Sequence, residues 1–371
     1  MTTEYHFGRS WPDNAEAYQD YILPLVSRTF ALTIPQLPPA LARVVGNAYL
    51  LCRIADTVED DPAFDAPRKK LLEQTLIEVV AGRAAPEPWA AEVAPLLSST
   101  SAGAERDLIR QLPLVIAVTR SFGPVQREVI SRCVAIMGRG MHRFQQRAGL
   151  DGLHDQAEMD DYCYFVAGVV GEMLTELFCA HAADIADHAP ILRRHAVSFG
   201  QGLQMVNILK DRWEDRARGA CWLPRETFAR HGVDVKALGE GVRSAGYFAA
   251  QRELVGVAHA HLRNALTYTL AIPSAHTGIR RFCAWAIGLA LLTLRNIHRK
   301  PDFAAGAEVK VSRRALATAI MLTNMAVHSE AALRWLFEWI AGELPLAPLS
   351  ARWSDETEAT LAASGRTAAT L

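Results

Sequence analysis

Between Tyr49 and Asp61 the chain reads YLLCRIADTVEDD, and this stretch limits what the rest can fold into. Asp56, Glu59 and Asp60 stand three and four residues apart, which at about 100° per residue gathers the three carboxylates on one face of a helix. Leu50, Leu51, Ile54, Ala55 and Val58 surround them with apolar positions, so the helix must be buried on much of its circumference. A solvated acidic face is the ordinary explanation of one such run, but carboxylates on a buried helix need a partner. Hard divalent cations suit them, and Mg²⁺ commonly bridges a few carboxylates to phosphate oxygens.

A second run lies some way downstream, QMVNILKDRWED from Gln204 to Asp215. Asn207, Asp211 and Asp215 recur every four residues and share one helical face, with Glu214 beside it and Lys210 close by. Alone it would read as a surface ladder of charges. Two such stripes on separate helices read better as ligands for metal ions and a diphosphate.

Composition bounds the remaining choices. At 371 residues, 50% apolar and 21% charged, the chain reads as globular and soluble, and a net charge of −1 gives no footprint for nucleic acid. The six cysteines lack CxxC spacing and sit mostly in apolar runs, the pattern of reduced core thiols in a cytoplasmic protein with no zinc site. The amino terminus, MTTEYHFGRSWPDN, lacks signal-peptide regions, and no stretch is expected to approach a membrane span. The expected location is cytoplasmic, with at most peripheral contact at the inner membrane face.

Apolar periodicity predicts helices nearly throughout: 26–34, 41–61, 68–81, 105–122, 124–147, 158–183, 190–216, 241–271, 278–299, 312–324 and 326–341, with shorter pieces in 82–95 and 222–226. Neither an alternating strand pattern nor a repeat is found. The expectation is one all-α domain over residues 1–343 and a frayed tail from 344 to 371. Gly168 and Gly171 fall on one side of an apolar helix, a spacing that favours close helix packing. Gly200-Gln201-Gly202 lies inside a helix and is no dinucleotide fingerprint, and no HExxH or Ser/His/Asp arrangement competes with the acidic stripes.

DTVED at 56–60, YCYFVAG at 162–168 and NILKDRWED at 207–215 resemble the motifs of the squalene/phytoene synthase family, the head-to-head trans-prenyltransferases. The resemblance implies an all-α isoprenoid-synthase fold with a central cavity, Mg²⁺ as cofactor and farnesyl diphosphate as substrate. It implies that Asp56, Glu59 and Asp60 serve one metal-diphosphate site and Asn207, Asp211 and Asp215 the other. Ser27, Arg28, Arg53 and Lys210 match diphosphate-binding positions, and Phe30, Val166 and Arg218 join the substrate site. Tyr49 and Tyr162 match tyrosines near the reacting carbons, while Gly168, Gly171 and Gln204 match the lining of the prenyl tunnels.

In such enzymes two farnesyl diphosphates join to presqualene diphosphate, which squalene synthases reduce with NADPH and phytoene or dehydrosqualene synthases do not. EVKVSRR at 308–314 resembles the segment tied to reduction, with Lys310 matching and Arg313 adjoining Ser312, where a basic residue is common. YCYFVAG and the TNM at 323–325 also lean towards squalene synthesis. One departure stands out: Ala220 occupies a position where an arginine is usual. Arg218 or Arg216 is then expected to reach the diphosphate, failing which the enzyme would be slower or stop at presqualene diphosphate. The eukaryotic carboxy-terminal anchor is not matched, which suggests a soluble bacterial-type form that hands its apolar product to the membrane; no protein partner is expected. Family relatives that have lost catalysis carry eroded acidic motifs, and both motifs are intact here.

Overall fold

Proline and glycine positions set the boundaries of nearly every helix in the computed structural model, which describes residues 14–27, 29–99 and 101–349. No strand occurs among them beyond one isolated parallel bridge between Leu153 and Pro224. Where the sequence reading drew a single domain, the chain groups into two compact units that divide between Gln146 and Arg147.

The first unit opens with Ala15–Val26, capped by Asn14, whose Oδ1 accepts from Ala17 N at 2.8 Å. Sequence periodicity placed a helix over 26–34 instead. Pro24 in the last turn removes a donor and the helix stops at an extended Ser27, leaving only Phe30–Thr33 and a 3₁₀ turn, Ile34–Gln36, beyond it. The acidic helix Pro39–Asp60 starts on a proline at its first position, where no donor is lost. Its buried residues occupy most of its circumference, as the apolar flanks require. Asn47 is buried on it and satisfied, donating to Val115 O at 2.9 Å and accepting from Thr119 Oγ1 at 2.7 Å. The helix expected over 105–122 is two, Gly103–Arg110 and Leu112–Ser121, because Pro113 cannot continue the hydrogen-bond ladder through Gln111. Ala66–Val80 packs on the long Pro124–Gln145 helix, where Gly138 admits Ile77 Cδ1.

The second unit is built on Ala189–Ala217, which carries the second acidic stripe. Its neighbours approach at glycines: a Cβ on Gly171 would stand 2.0 Å from Ala196 O, and one on Gly200 2.1 Å from Ala167 O. Gly219, at φ 82°, ends the helix in the left-handed region that favours glycine. The apolar run expected as one helix over 158–183 is Gln156–Cys163, a π turn Tyr164–Gly168, and Val169–His181. Ala245–Ala271 and Thr277–Arg299 complete the packing, and buried Arg280 bridges them by donating to Ile272 O and Leu270 O at 2.7 and 3.2 Å. Arg313–Ala326 and Glu330–Ala341 follow.

Two findings bear on the sequence reading. Gln156–His181 and Thr277–Arg299 are long and apolar enough to cross a membrane by length and composition, although 44% and 67% of their apolar windows are buried within the protein. The segment after Leu344 begins docked rather than frayed, since Leu344 is buried and Pro345 O lies 2.8 Å from His259 Nδ1; residues 350–371 lie outside the described residues.

Candidate active site

In the first unit Glu59 is buried, Asp56 half-buried and Asp60 exposed at the end of the helix. Burial pushes the Asp56 carboxyl up to about 7; Arg53 opposes the shift, while Asp60 and Glu105 add to it. Glu59 is buried and stands well above the usual carboxylate range, first from burial and then from Asp56 and Asp60. Asp56 and Glu59, whose proton affinity their carboxylate neighbours raise, form with Asp60 an oxygen donor set that a divalent cation fits. The next acidic residue behaves differently. Asp61 accepts from Ser98 N, Ala63 N and Ser101 Oγ, the last at 2.6 Å, and is therefore spent on holding the following turn.

Arg53 forms an ion pair with Glu105, a partner the sequence reading missed because the residues lie far apart in the chain. Its Nε–H is buried and has no acceptor among the described residues. The Tyr49 hydroxyl donates to Val26 O at 3.1 Å, and burial raises its phenol while a hydrogen bond to Ser27 opposes the rise. The Phe30 ring tilts against Tyr49 at 5.4 Å, and Phe30 N donates to Ser27 Oγ at 3.0 Å. Ser27, Phe30, Tyr49, Arg53 and Asp56 are thus linked along one end of this unit, whereas Arg28 lies outside the described residues.

In the second unit Asp211 is half-buried, and burial raises its carboxyl, with Lys210 opposing from 3.1 Å. Asp215, one turn on, is buried and accepts from Arg218 Nη2 at 2.6 Å. Asn207 is exposed, and its Nδ2 lies 3.5 Å from Gln204 Oε1. Arg216, the other candidate for the missing cation, donates instead to Val235 O and Lys236 O at 3.0 and 2.9 Å. Arg218 is the arginine that stands at the stripe.

Tyr162 is buried and its ring stacks on Trp222 at 4.3 Å with 9° between planes. Trp222 had no signal in the sequence beyond its place in WLPRE. Val166 is half-buried in the π turn, a feature that recurs at functional sites. Gly168 would place a Cβ 3.0 Å from Val197 Cγ1, so it and Gly171 both serve helix packing. Lys310 and Arg313 are exposed at the start of Arg313–Ala326, whose cap is Ser312, and neither has an ion-pair partner among the described residues. Exposed, unpaired cations at a helix start, where the dipole disfavours them, fit phosphate binding.

The family model described as squalene/phytoene synthase matches residues 23–315, which include both acidic stripes and the π turn. The chain belongs to this family. Among similar proteins, squalene synthase BSS of Botryococcus braunii is 31% identical over 330 residues, covering 86% of this chain and 67% of that protein. Squalene synthase ERG9 of Saccharomyces cerevisiae is 27% identical over 296 residues, covering 79% of this chain and 63% of that protein. The squalene synthase of Eremothecium gossypii is 27% identical over 278 residues, covering 74% and 60%. The chain therefore spans three fifths to two thirds of the length of these relatives.

Solved structures agree in fold. A ligand complex of TcSQS superimposes with a TM-score of 0.72 at 23% identity, covering 96% of this chain and all of that one. A dehydrosqualene synthase complex gives 0.60 at 22% identity, covering 83% and 94%. The fold they share is the all-α isoprenoid-synthase fold that the motifs imply.

Proposed function

We propose that this protein is a Mg²⁺-dependent prenyltransferase that joins two farnesyl diphosphates head to head through presqualene diphosphate and reduces the product with NADPH to squalene. The observation that carries the reading is the pair of carboxylate stripes, each on a largely buried helix, within a family-wide match. Asp56, Glu59 and Asp60 would hold one magnesium-diphosphate group, and Asn207, Asp211 and Asp215 the other. Magnesium, when bound, supplies the positive charge that a departing diphosphate requires. Lys210, Arg218 and Arg53 pair with phosphate oxygens and offset the charge that develops as the carbon–oxygen bond breaks.

In this reading Tyr49 of the first unit and Tyr162 of the second each stand near reacting carbons, where an aromatic ring in an apolar setting would favour a carbocation. On the same reading Phe30 in the first unit and Val166 and Gln204 in the second each bind prenyl chain. NADPH, when bound, supplies the hydride of the reductive step, and Lys310 with Arg313 binds its phosphates. In this reading the protein works in the cytoplasm, with at most peripheral contact at the inner membrane face.

Incubating the purified protein with farnesyl diphosphate and Mg²⁺, with and without NADPH, and identifying the hydrocarbon tests the proposal. Squalene should appear only when NADPH is present. The same hydrocarbon under both conditions would move the assignment to dehydrosqualene or phytoene synthesis, and accumulation of presqualene diphosphate alone would mark a synthase that stops there.

A further inference from the structure

Between Asp211 and Asp215 stand three residues, Arg212, Trp213 and Glu214, whose side chains all fasten one loop. Arg212 is buried, donates to Pro301 O at 3.0 Å and lies over the Phe303 ring at 3.7 Å. Burial pulls its pKa down to about 10, with Tyr247 and Glu214 opposing the shift. Trp213 Nε1 donates to Phe303 O at 2.6 Å, and Glu214 Oε1 accepts from Gly306 N at 2.8 Å.

Gly306 is the tightest point of this fastening. A Cβ there would stand 3.0 Å from Lys210 O, 3.1 Å from Asp211 Oδ1 and 3.2 Å from Glu214 Oε1. The loop backbone thus lies close against the carboxylates of the acidic stripe, and a side chain at Gly306 would require them to shift by a few tenths of an ångström. Its far end is also held: Asn296 Nδ2 donates to Val309 O at 3.0 Å, and Glu308 Oε1 accepts from Ala304 N and Ala305 N at 3.0 and 3.1 Å. Lys310 is the next residue.

The segment is held by Glu214, Trp213 and Arg212 and lies beside Asp211, so a ligand that draws the acidic stripe together acts on the segment through the same helix face. We infer that Glu214 is a positioning residue, acting through Gly306 to couple metal-diphosphate binding at Asp211 to the order of the Lys310 segment. The inference rests on the reading of Lys310 and Arg313 as cofactor cations and gives that reading a regulatory consequence. With diphosphate in place the segment is set for nicotinamide binding; without it the phosphate site is less formed. Glu214, with one oxygen committed to a backbone N–H, then has a separate task from the two aspartates beside it.

The test uses the full chain, with Mg²⁺ and inorganic pyrophosphate as probe. Hydrogen exchange of peptides spanning residues 301–315 should slow when the probe is added, and NADPH affinity by calorimetry should tighten ~10-fold, an ordinary allosteric coupling. In Glu214→Ala both responses should vanish while pyrophosphate affinity changes less than ~3-fold, and Glu214→Gln, which keeps the acceptor oxygen, should retain them. Gly306→Val should uncouple the sites in the same way. Retained coupling in Glu214→Ala, or an unresponsive segment in the wild type, overturns the inference. Slowed exchange in a wild type that binds no NADPH supports the coupling and sinks only the cofactor reading.

Discussion

Arg218 donates to Asp215 across 2.6 Å, whereas Arg216, two residues earlier, donates to the carbonyls of Val235 and Lys236. The two arginines flank the same helix end yet meet different partners, and under the proposed function Ala220 leaves the cation role to Arg218. Arg218→Ala should lower kcat/KM for farnesyl diphosphate by ~10–100-fold with an unchanged melting temperature, since a largely exposed side chain contributes little to stability. Arg216→Ala should do the reverse, costing about 1–2 kcal/mol of stability through two lost carbonyl partners while turnover stays near normal. Steady-state release of pyrophosphate and thermal melting on both variants check the pair, and an inverted pattern would return the role to Arg216.

Asp56 provides a metal test that does not depend on turnover. Its carboxyl is raised to about 7, chiefly by burial, so its ionisation opposes folding in the metal-free protein above that pH. Asp56→Asn should melt at or above the wild type at pH 8 without Mg²⁺, and should lose most of the rise that Mg²⁺ with pyrophosphate gives the wild type. Asp211→Ala should behave alike at the second stripe, and both should abolish product formation. Near-normal turnover in both variants would refute the ligand assignment.

The acidic stripes were legible because ligand spacing is local: three- and four-residue intervals are fixed by helix geometry whatever the tertiary context. Helix existence was legible for the same reason. Breaks within apolar runs were less so, since Pro113 and the π turn at Tyr164–Gly168 alter the ladder without altering hydrophobic periodicity. The partners of the site residues were not legible at all. Glu105 beneath Arg53, Trp222 against Tyr162 and Gly306 on Asp211 meet them only through folding, and no interval in the sequence encodes those meetings.

Glu73 supplies a second pH dependence, at a residue whose charge also raises the Glu59 carboxyl. It is buried on Ala66–Val80, and burial raises its carboxyl to about 7, with Lys69 opposing. The folded chain therefore holds this proton more tightly than the unfolded chain, whose value is 4.5. The stability it confers is complete below the unfolded value and is lost as pH rises to about 7. Glu73→Gln removes the charge at constant shape, so it should gain about 1–3 kcal/mol over the wild type at pH 8 and nothing at pH 4.5. Denaturant melts at the two pH values decide this, and an equal effect at both would show that packing, not ionisation, governs the site.

Tyr162 and Trp222 give the last prediction. Their rings stack in parallel at 4.3 Å, an arrangement that fixes the tyrosine ring whether or not its hydroxyl has a chemical task. Tyr162→Phe keeps ring, volume and stack, so a packing role alone predicts unchanged product and melting. A role at the reacting carbons predicts a fall in product of ~100-fold at unchanged melting temperature, the usual scale for losing a positioned proton-handling group. Trp222→Ala separates the ring's orientation from its hydroxyl. It removes the stacking partner, should cost about 3 kcal/mol or more of stability, and should lower the yield of hydrocarbon even though Trp222 carries no group for the chemistry. Trp222→Phe, which restores an aromatic face, should recover most of both. Full activity in Tyr162→Phe together with a purely thermal defect in Trp222→Ala would assign the pair to the core.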